Sequence, residues 1–395
     1  MLVYADNAAT TKMSQAAIDI ELSLMREVFG NPSSLHSAGQ RAKEVLEEAR
    51  ATIAECLGAE PREIYFTSGG SEADNQAIMT AVNLGARKGK KHLVSTAIEH
   101  HAILHALEAM KARGCEVTLV PVGRNGIVSA ADIAEAIRED TALVTVMAAN
   151  NEIGTIQPIE EIASLCKERG VIFHTDAVQA VGHIPIDVKA MNVDLLSLSA
   201  HKFHGPKGVG VLYCRRGLAP AILIEGGAQE RGRRAGTENL PAIAAMARAL
   251  KDACDNMAQN AVFVGGLRDR LIDGLSVIPH SVLNGDREKR LPNNVNMCFE
   301  GVEGEALLLM LDRKGIEASS GSACTSGSLD PSHVLLALGL PHEVAHGSLR
   351  LSLSEYNTPE EMDWIVEQVP LVINRLRDMS PVWEGLEDGS RPHII

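Results

Sequence analysis

Seven short apolar runs, EIYFTS, HLVSTA, EVTLVPV, ALVTVMAA, VIFHTD, DLLSLS and GVGVLYC, fall between about residue 60 and residue 215. This alternation constrains the fold more than any other feature. The runs are mostly β-branched, and amphipathic stretches such as SEADNQAIMTAVNLGARKG and HAILHALEAMKARG separate several of them. Strands that alternate with helices of this length predict an α/β fold whose sheet is mostly parallel and covered on both faces. Aromatic residues make up 3% of the chain, so the core under those faces is expected to rest on Ala, Val, Leu, Ile and Met.

Beyond residue 225 the pattern changes. EGGAQERGRRAGTENLP (225–241) reads as a long loop, and PAIAAMARALKDACDNMAQ (241–259) as a helix leading into a smaller domain. There NNVNMCFE and SLRLSLS read as strands and GEALLLMLDRKG as a helix. PEEMDWIVEQVPLVINRLRD reads as a last helix, with proline at its start and basic residues at its end, as the helix dipole favours. The tail EGLEDGSRPHII is read as a frayed end, the alternative being a segment that docks a partner.

The formal charge of −14 argues against nucleic acid, which needs a basic footprint, and against an anionic membrane surface. No apolar stretch approaches the roughly 18 residues of a membrane span, and MLVYADNAATTK has neither the basic nor the apolar region of a signal peptide. The expected location is cytoplasmic. The seven cysteines form no CxxC, so no zinc or thioredoxin-type motif is written here. Six sit in runs where cysteine is expected to act as a small core hydrophobe. Cys324, within SSGSACTSGS, has polar and flexible surroundings that favour a reachable, reactive thiol, able to hold a second sulfur as a persulfide.

In an open parallel sheet, ligands bind beyond the carboxyl ends of the strands, and the unusual polar residues fall there. Ser68-Gly69-Gly70-Ser71 opens a helix as a phosphate cradle would, though an ordinary helix start looks the same. Asp176 ends VIFHTD; it suits the partner of a protonated pyridine nitrogen, or a capping or salt-bridged carboxylate. Lys202 follows LLSLS; desolvation there would lower its pKa, as a Schiff-base lysine requires, whereas most strand-end lysines are simply solvated. His100 and His101 follow another strand end, where one imidazole facing an aromatic ring is a better reading than a metal pair His101–His105. Arg350 in SLRLSLS could fork onto the α-carboxylate of an amino acid or pair with a local acid.

DNAATT (6–11), GNPSSLH (30–36), FTSGGSEADN (66–75), NNEIGT (150–155), HTDAVQAVG (174–182), HKFHGPKGVG (201–210), RGRRAGTEN (231–239) and SSGSACTSGSLDPSHV (319–334) together resemble cysteine desulfurases of the NifS/IscS type. RGRRAGTEN and RLRDMSPVW look closer to the NifS branch. The resemblance implies the aminotransferase-like fold type I of class V enzymes dependent on pyridoxal 5′-phosphate, usually a homodimer. It implies a large cofactor domain over 14–255, and a small domain over 1–13 and 256–395 that carries the catalytic-cysteine loop (about 319–334). It implies Lys202 as the Schiff-base lysine, Asp176 at the pyridine nitrogen, His100 on the ring and in proton movement, and Gln179 at the phenolic oxygen. Gly70, Ser71, Ser199 and His201 resemble the phosphate cradle, and Thr237 a residue that reaches the neighbouring subunit's phosphate. Asn151 and Arg350 match contacts to the substrate carboxylate; Asn151 is also counted with the cofactor contacts. Cys324 matches the persulfide carrier. The implied activity converts L-cysteine to L-alanine and passes sulfur to a NifU/IscU-type scaffold for iron–sulfur cluster assembly. No resident metal is implied, Cys324 being an iron–sulfur ligand only during transfer. The alternative is selenocysteine lyase or another class V enzyme. Ser71 departs from the threonine common in these enzymes but keeps the hydroxyl.

Overall fold

The computed structural model describes residues 1–320 and 331–395. After β1 (Val3–Tyr4), α1 (Gln15–Glu27) and α2 (Ser37–Cys56), the chain alternates as the apolar runs require. It forms β2 (Ile64–Thr67), α3 (Gly70–Ala86), β3 (His92–Thr96), α4 (His101–Lys111), β4 (Glu116–Val120), α5 (Ala130–Ala136) and β5 (Thr141–Thr145), and continues with α6 (Ile159–Arg169), β6 (Ile172–Asp176), β7 (Leu195–Ser199) and β8 (Gly210–Cys214). Each of the seven runs contributes one strand. Their order among the described residues is β2-β8-β7-β6-β5-β3-β4, and only β8 runs antiparallel to its neighbours. All residues of β3, β5, β7 and β8 are buried, as expected for strands covered on both faces.

The second half supplies α7 (Gln229–Gly232), α8 (Leu240–Leu275), β9 (Ser281–Leu283), β10 (Asn294–Phe299), α9 (Gly304–Asp312) and β11 (Ile316–Glu317). Then come α10 (His333–Ala337), α11 (His342–Ala345), β12 (Ser348–Ser352), α12 (Pro359–Asp378) and α13 (Pro381–Glu387). β12, β10 and β9 form an antiparallel sheet. The helix expected over 241–259 runs on to Leu275, 36 residues in all and about 54 Å long. Gly265 and Gly266 lie inside it with open space beside them. Each glycine costs roughly 1 kcal/mol against alanine, but Val264, Leu267, Leu271, Ile272 and Leu275 are buried in a second core and hold the helix through that point. Leu240 to Leu250 of the same helix pack instead into the core of the large sheet.

The first residues join the second core: Val3 pairs with Ile316, and Ser352 N donates to Ala5 O at 2.7 Å. The chain then crosses to the large sheet, where Thr11 N donates to His201 O at 2.9 Å. DNAATT therefore spans the seam between the two packed cores. The loop containing RGRRAGTEN is fastened by a buried fork. Arg50 donates to both Glu230 oxygens at 2.8 Å, and Glu230 Oε2 accepts Phe66 N at 2.9 Å.

Two expectations need correction. The segment 384–395 is docked rather than frayed, with Ile394 N donating to Glu300 Oε1 at 2.7 Å. Of the six cysteines expected in the core, Cys166, Cys214 and Cys298 are buried, while Cys56, Cys115 and Cys254 are only half-buried. Cys56 and Cys254 also meet side chain to side chain, a pairing that linear spacing does not show. No helix among the described residues is long and apolar enough to cross a membrane.

Candidate active site

A cavity of about 330 Å³ opens where the ends of β6 and β7, the start of α3, the start of α4 and the DNAATT stretch meet. Ala8, Gly70, Ser71, Asp74, His100, Asn151, Asp176, Gln179, Ser199, His201, Lys202 and Arg350 all line it. These residues span most of the sequence: the parallel strands of the large sheet bring most of them to one edge, and the DNAATT stretch and β12 add Ala8 and Arg350 from the second core's side.

At one end, α3 starts directly after Ser68-Gly69, and no side chain caps it. Its first-turn N–H groups and dipole make an anion site. The loop must be glycine here. Gly69 has φ 153°, and a Cβ on Gly70 would lie 2.7 Å from Val178 Cγ2. Glu72 braces the loop by accepting from Ser68 N at 2.9 Å, and Arg234 donates to Glu72 at 2.9 and 3.2 Å. Ser199 and His201 stand beside this cradle. The His201 Nδ1 lies 3.2 Å from the Thr10 hydroxyl oxygen; burial and then the Lys202 charge push its pKa down to about 4.

At the other end sit two buried carboxylates. Asp176 accepts Val178 N at 2.9 Å. Burial pushes its pKa up to about 6, against the pull of that N–H and of Lys202. Asp74, on α3, is held well above the usual carboxylate range by burial and then by Asp176, and its Oδ1 has no hydrogen-bond partner. His174, 3.8 Å from Asp74, is driven down to about 3 by burial and so is neutral. A positively charged N–H is the group these carboxylates lack.

Between the ends, Lys202 Nζ donates to the carbonyls of Ala8 at 2.6 Å and Ala9 at 2.8 Å, and Gln179 Nε2 donates to Ala8 O at 2.9 Å. His100 caps α4, its Nδ1 accepting Ala102 N at 3.1 Å, which leaves Nε2 as the protonated nitrogen. Burial and then Lys202 lower its pKa to about 4, so it works as a neutral ring. Arg350, buried on β12, donates to Asp6 Oδ1 at 2.9 Å and to Asn151 O at 3.1 Å. Its Nε is buried without a partner, a donor suited to a carboxylate.

Thr237 is exposed and does not line this chain's cavity. Cys324 lies outside the described residues; the chain on either side of 321–330 is nevertheless fixed at the cavity. Ser319 and Arg350 exchange backbone hydrogen bonds at 3.2 and 2.7 Å, and the Ser332 hydroxyl donates to Glu152. Sequence reasoning missed Asp74, the Ala8 and Ala9 carbonyls, and Glu99. Glu99 is fully buried beneath His100, accepting from Thr96 Oγ1 at 2.7 Å and Met147 N at 3.0 Å.

Burial raises the Glu99 carboxyl from 4.5 to about 8, with those donors opposing. Between these values the folded chain keeps a proton that the unfolded chain has lost. Native stability therefore falls as pH rises across that window, by at most roughly 1.4 kcal/mol per pH unit from this group. Urea midpoints of Glu99→Gln are expected to fall less steeply than wild type over this range; an identical slope would show that Glu99 titrates normally.

The residues fit pyridoxal 5′-phosphate: an anion cradle at one end, carboxylates seeking a cation at the other, and an amine between. Comparison with known proteins gives the same direction. The class-V aminotransferase profile matches residues 3–365. Cysteine desulfurase IscS of Methanosarcina thermophila is 53% identical over 380 residues, covering 96% of this chain and 94% of that one. Cysteine desulfurase NifS of Azotobacter vinelandii is 48% identical, covering 97% and 95%. A solved NifS-like protein superposes with a TM-score of 0.89 at 37% identity, covering 95% of this chain and all of that one.

Proposed function

The chain belongs to the class-V aminotransferase family, and from that premise we propose that it is a pyridoxal-phosphate-dependent cysteine desulfurase, which converts L-cysteine to L-alanine and supplies sulfur for iron–sulfur cluster assembly. The observation that carries the reading is one cavity holding an uncapped helix start, the Asp176 carboxylate, the Lys202 amine and the unpartnered Arg350 Nε. When bound, pyridoxal 5′-phosphate supplies an electron sink for the pair left on the α-carbon as its proton departs.

The chain's own residues do the rest. Gly70, Ser71, Ser199 and His201 hold the phosphate, and Asp176 keeps the ring nitrogen protonated. Gln179 bonds the phenolic oxygen. Lys202 holds the cofactor and moves the proton at the substrate α-carbon, assisted by His100, which is neutral and can both take and give a proton. Arg350 and Asn151 orient the substrate carboxylate. The Cys324 thiolate attacks the substrate sulfur: an S–S bond forms, the Cβ–S bond breaks with its electron pair going to carbon, and protonation leaves alanine.

Thr237 serves the phosphate of a second copy in a homodimer, a role that its exposure supports. The large cofactor domain is 14–255, and 1–13 with 256–395 form the small one, in keeping with the two cores that α8 joins. The sulfur acceptor is a NifU/IscU-type scaffold, and the chain works in the cytoplasm.

The reading is tested by supplying L-cysteine and a dithiol: alanine and sulfide are expected in equal amounts. Pyruvate and ammonia in place of alanine would overturn it. Arg350→Ala is expected to raise KM for L-cysteine and lower kcat/KM by about ten- to a hundredfold, the worth of a charge-assisted pair. An unchanged KM would place the carboxylate elsewhere.

A further inference from the structure

Cys56 and Cys254 take no part in the proposed reaction, yet the fold brings their side chains into hydrogen-bonding contact. Cys56 is the last residue of α2, and Cys254 lies on α8, the helix that joins the two cores. Both pack against the core of the large sheet, and both remain half-buried rather than enclosed, so a molecule as small as hydrogen peroxide reaches them. Cys166, Cys214 and Cys298 differ. They are buried, and burial pushes each of these thiols up to about 12, which keeps them inert.

The contact makes one member of the pair a nucleophile. The Cys56 S–H donates to the Cys254 sulfur, and this bond, opposed by burial, holds the Cys254 thiol below its usual range. The same bond, and then burial, push the Cys56 thiol up. The Lys251 ammonium, one helical turn before Cys254, adds a positive charge near both sulfurs, with Asp255 opposing it at Cys254. A thiolate beside a thiol is the arrangement from which a disulfide forms. The bond needs the sulfurs about 2.05 Å apart. Because Cys56 ends its helix, a small shift of that helix end makes the approach without disturbing the sheet.

We propose that Cys56 and Cys254 are a redox modification site, which a peroxide converts to a reversible disulfide that staples the end of α2 to α8. The Cys254 thiolate attacks one peroxide oxygen; the O–O bond breaks, giving a sulfenic acid and hydroxide. The Cys56 sulfur then attacks the sulfenic sulfur. The S–S bond forms, the S–O bond breaks, and the departing hydroxide takes the Cys56 proton as water. The two sulfurs together lose two electrons, and the peroxide gains them. In a reducing compartment such a bond is transient, and a small thiol reverses it by exchange. The two cysteines lie 198 residues apart. Closing so long a loop restricts the unfolded chain far more than the folded one, so the oxidised protein resists unfolding.

The test uses the cofactor-loaded protein in the Cys324→Ala background, so that this thiol does not consume the oxidant. One equivalent of hydrogen peroxide is added, remaining thiols are alkylated, and the digest is weighed by mass spectrometry. The peptides of Cys56 and Cys254 should appear joined, and dithiothreitol should separate them. The oxidised protein should unfold at a higher urea concentration than the reduced one. With Cys56→Ala, a cyclic diketone should trap a sulfenic acid on Cys254. Cys254→Ala should consume peroxide at least tenfold more slowly. Both thiols left free after oxidation, a link through another cysteine, or an oxidised protein no more resistant to urea would overturn the proposal.

Discussion

Lys202→Ala is expected to lower alanine release from L-cysteine by at least roughly a thousandfold, the scale on which a positioned proton-transfer group acts. The effect is large because one amine is asked to hold the cofactor and to move the substrate proton. In the structure that amine is fixed by the carbonyls of Ala8 and Ala9, which belong to a stretch anchored in the second core. Replacement by alanine removes the nitrogen and leaves those carbonyls and the carboxylates in place, so the protein should still fold. Borohydride treatment separates loss of the amine from loss of the fold: the cofactor should become fixed to the Lys202 peptide in wild type and to no peptide in the variant. If the variant still fixes the cofactor through another lysine, the assignment fails.

Much of this architecture was legible before any coordinates. Each of the seven runs became a strand: those in the middle of the sheet are buried on both faces and so must be apolar along most of their length, while EVTLV at the edge is partly exposed. The polar residues just past the strand ends were legible for the complementary reason. Asp176 and Lys202 stand where burial would be costly without a partner, so their presence there announced a site.

What stayed hidden depended on packing that no local pattern encodes. The helix expected over 241–259 runs on through Gly265 and Gly266 to Leu275 because the second core buries one side of it. Asp74, one polar residue within SEADN, reads as the exposed side of a helix, and only the sheet beneath it turns that residue toward Asp176. The tail reads as frayed because its composition is polar; Glu300, more than eighty residues earlier, supplies the acceptor that docks it. Cys56 and Cys254 are likewise neighbours only through the packing of α2 on α8.

Cys324→Ala carries the second large effect. The nucleophile that takes the substrate sulfur has no substitute among the described cavity residues, since none of their side chains bears a thiol. Alanine and sulfide release should therefore fall by roughly ten-thousandfold or more, as when the nucleophile of a covalent mechanism is removed. Cofactor content and visible absorbance should match wild type, because Lys202, Asp176 and the cradle of α3 are untouched.

The most direct test follows the sulfur itself. One equivalent of L-cysteine is added to the holoenzyme without reductant, the mixture is quenched, and the cysteine peptides are weighed by mass spectrometry. The account predicts one additional sulfur atom on the Cys324 peptide, one alanine formed for each sulfur found, and neither product with Cys324→Ala. Extra sulfur on a different cysteine, or alanine formed at the wild-type rate without Cys324, would contradict it.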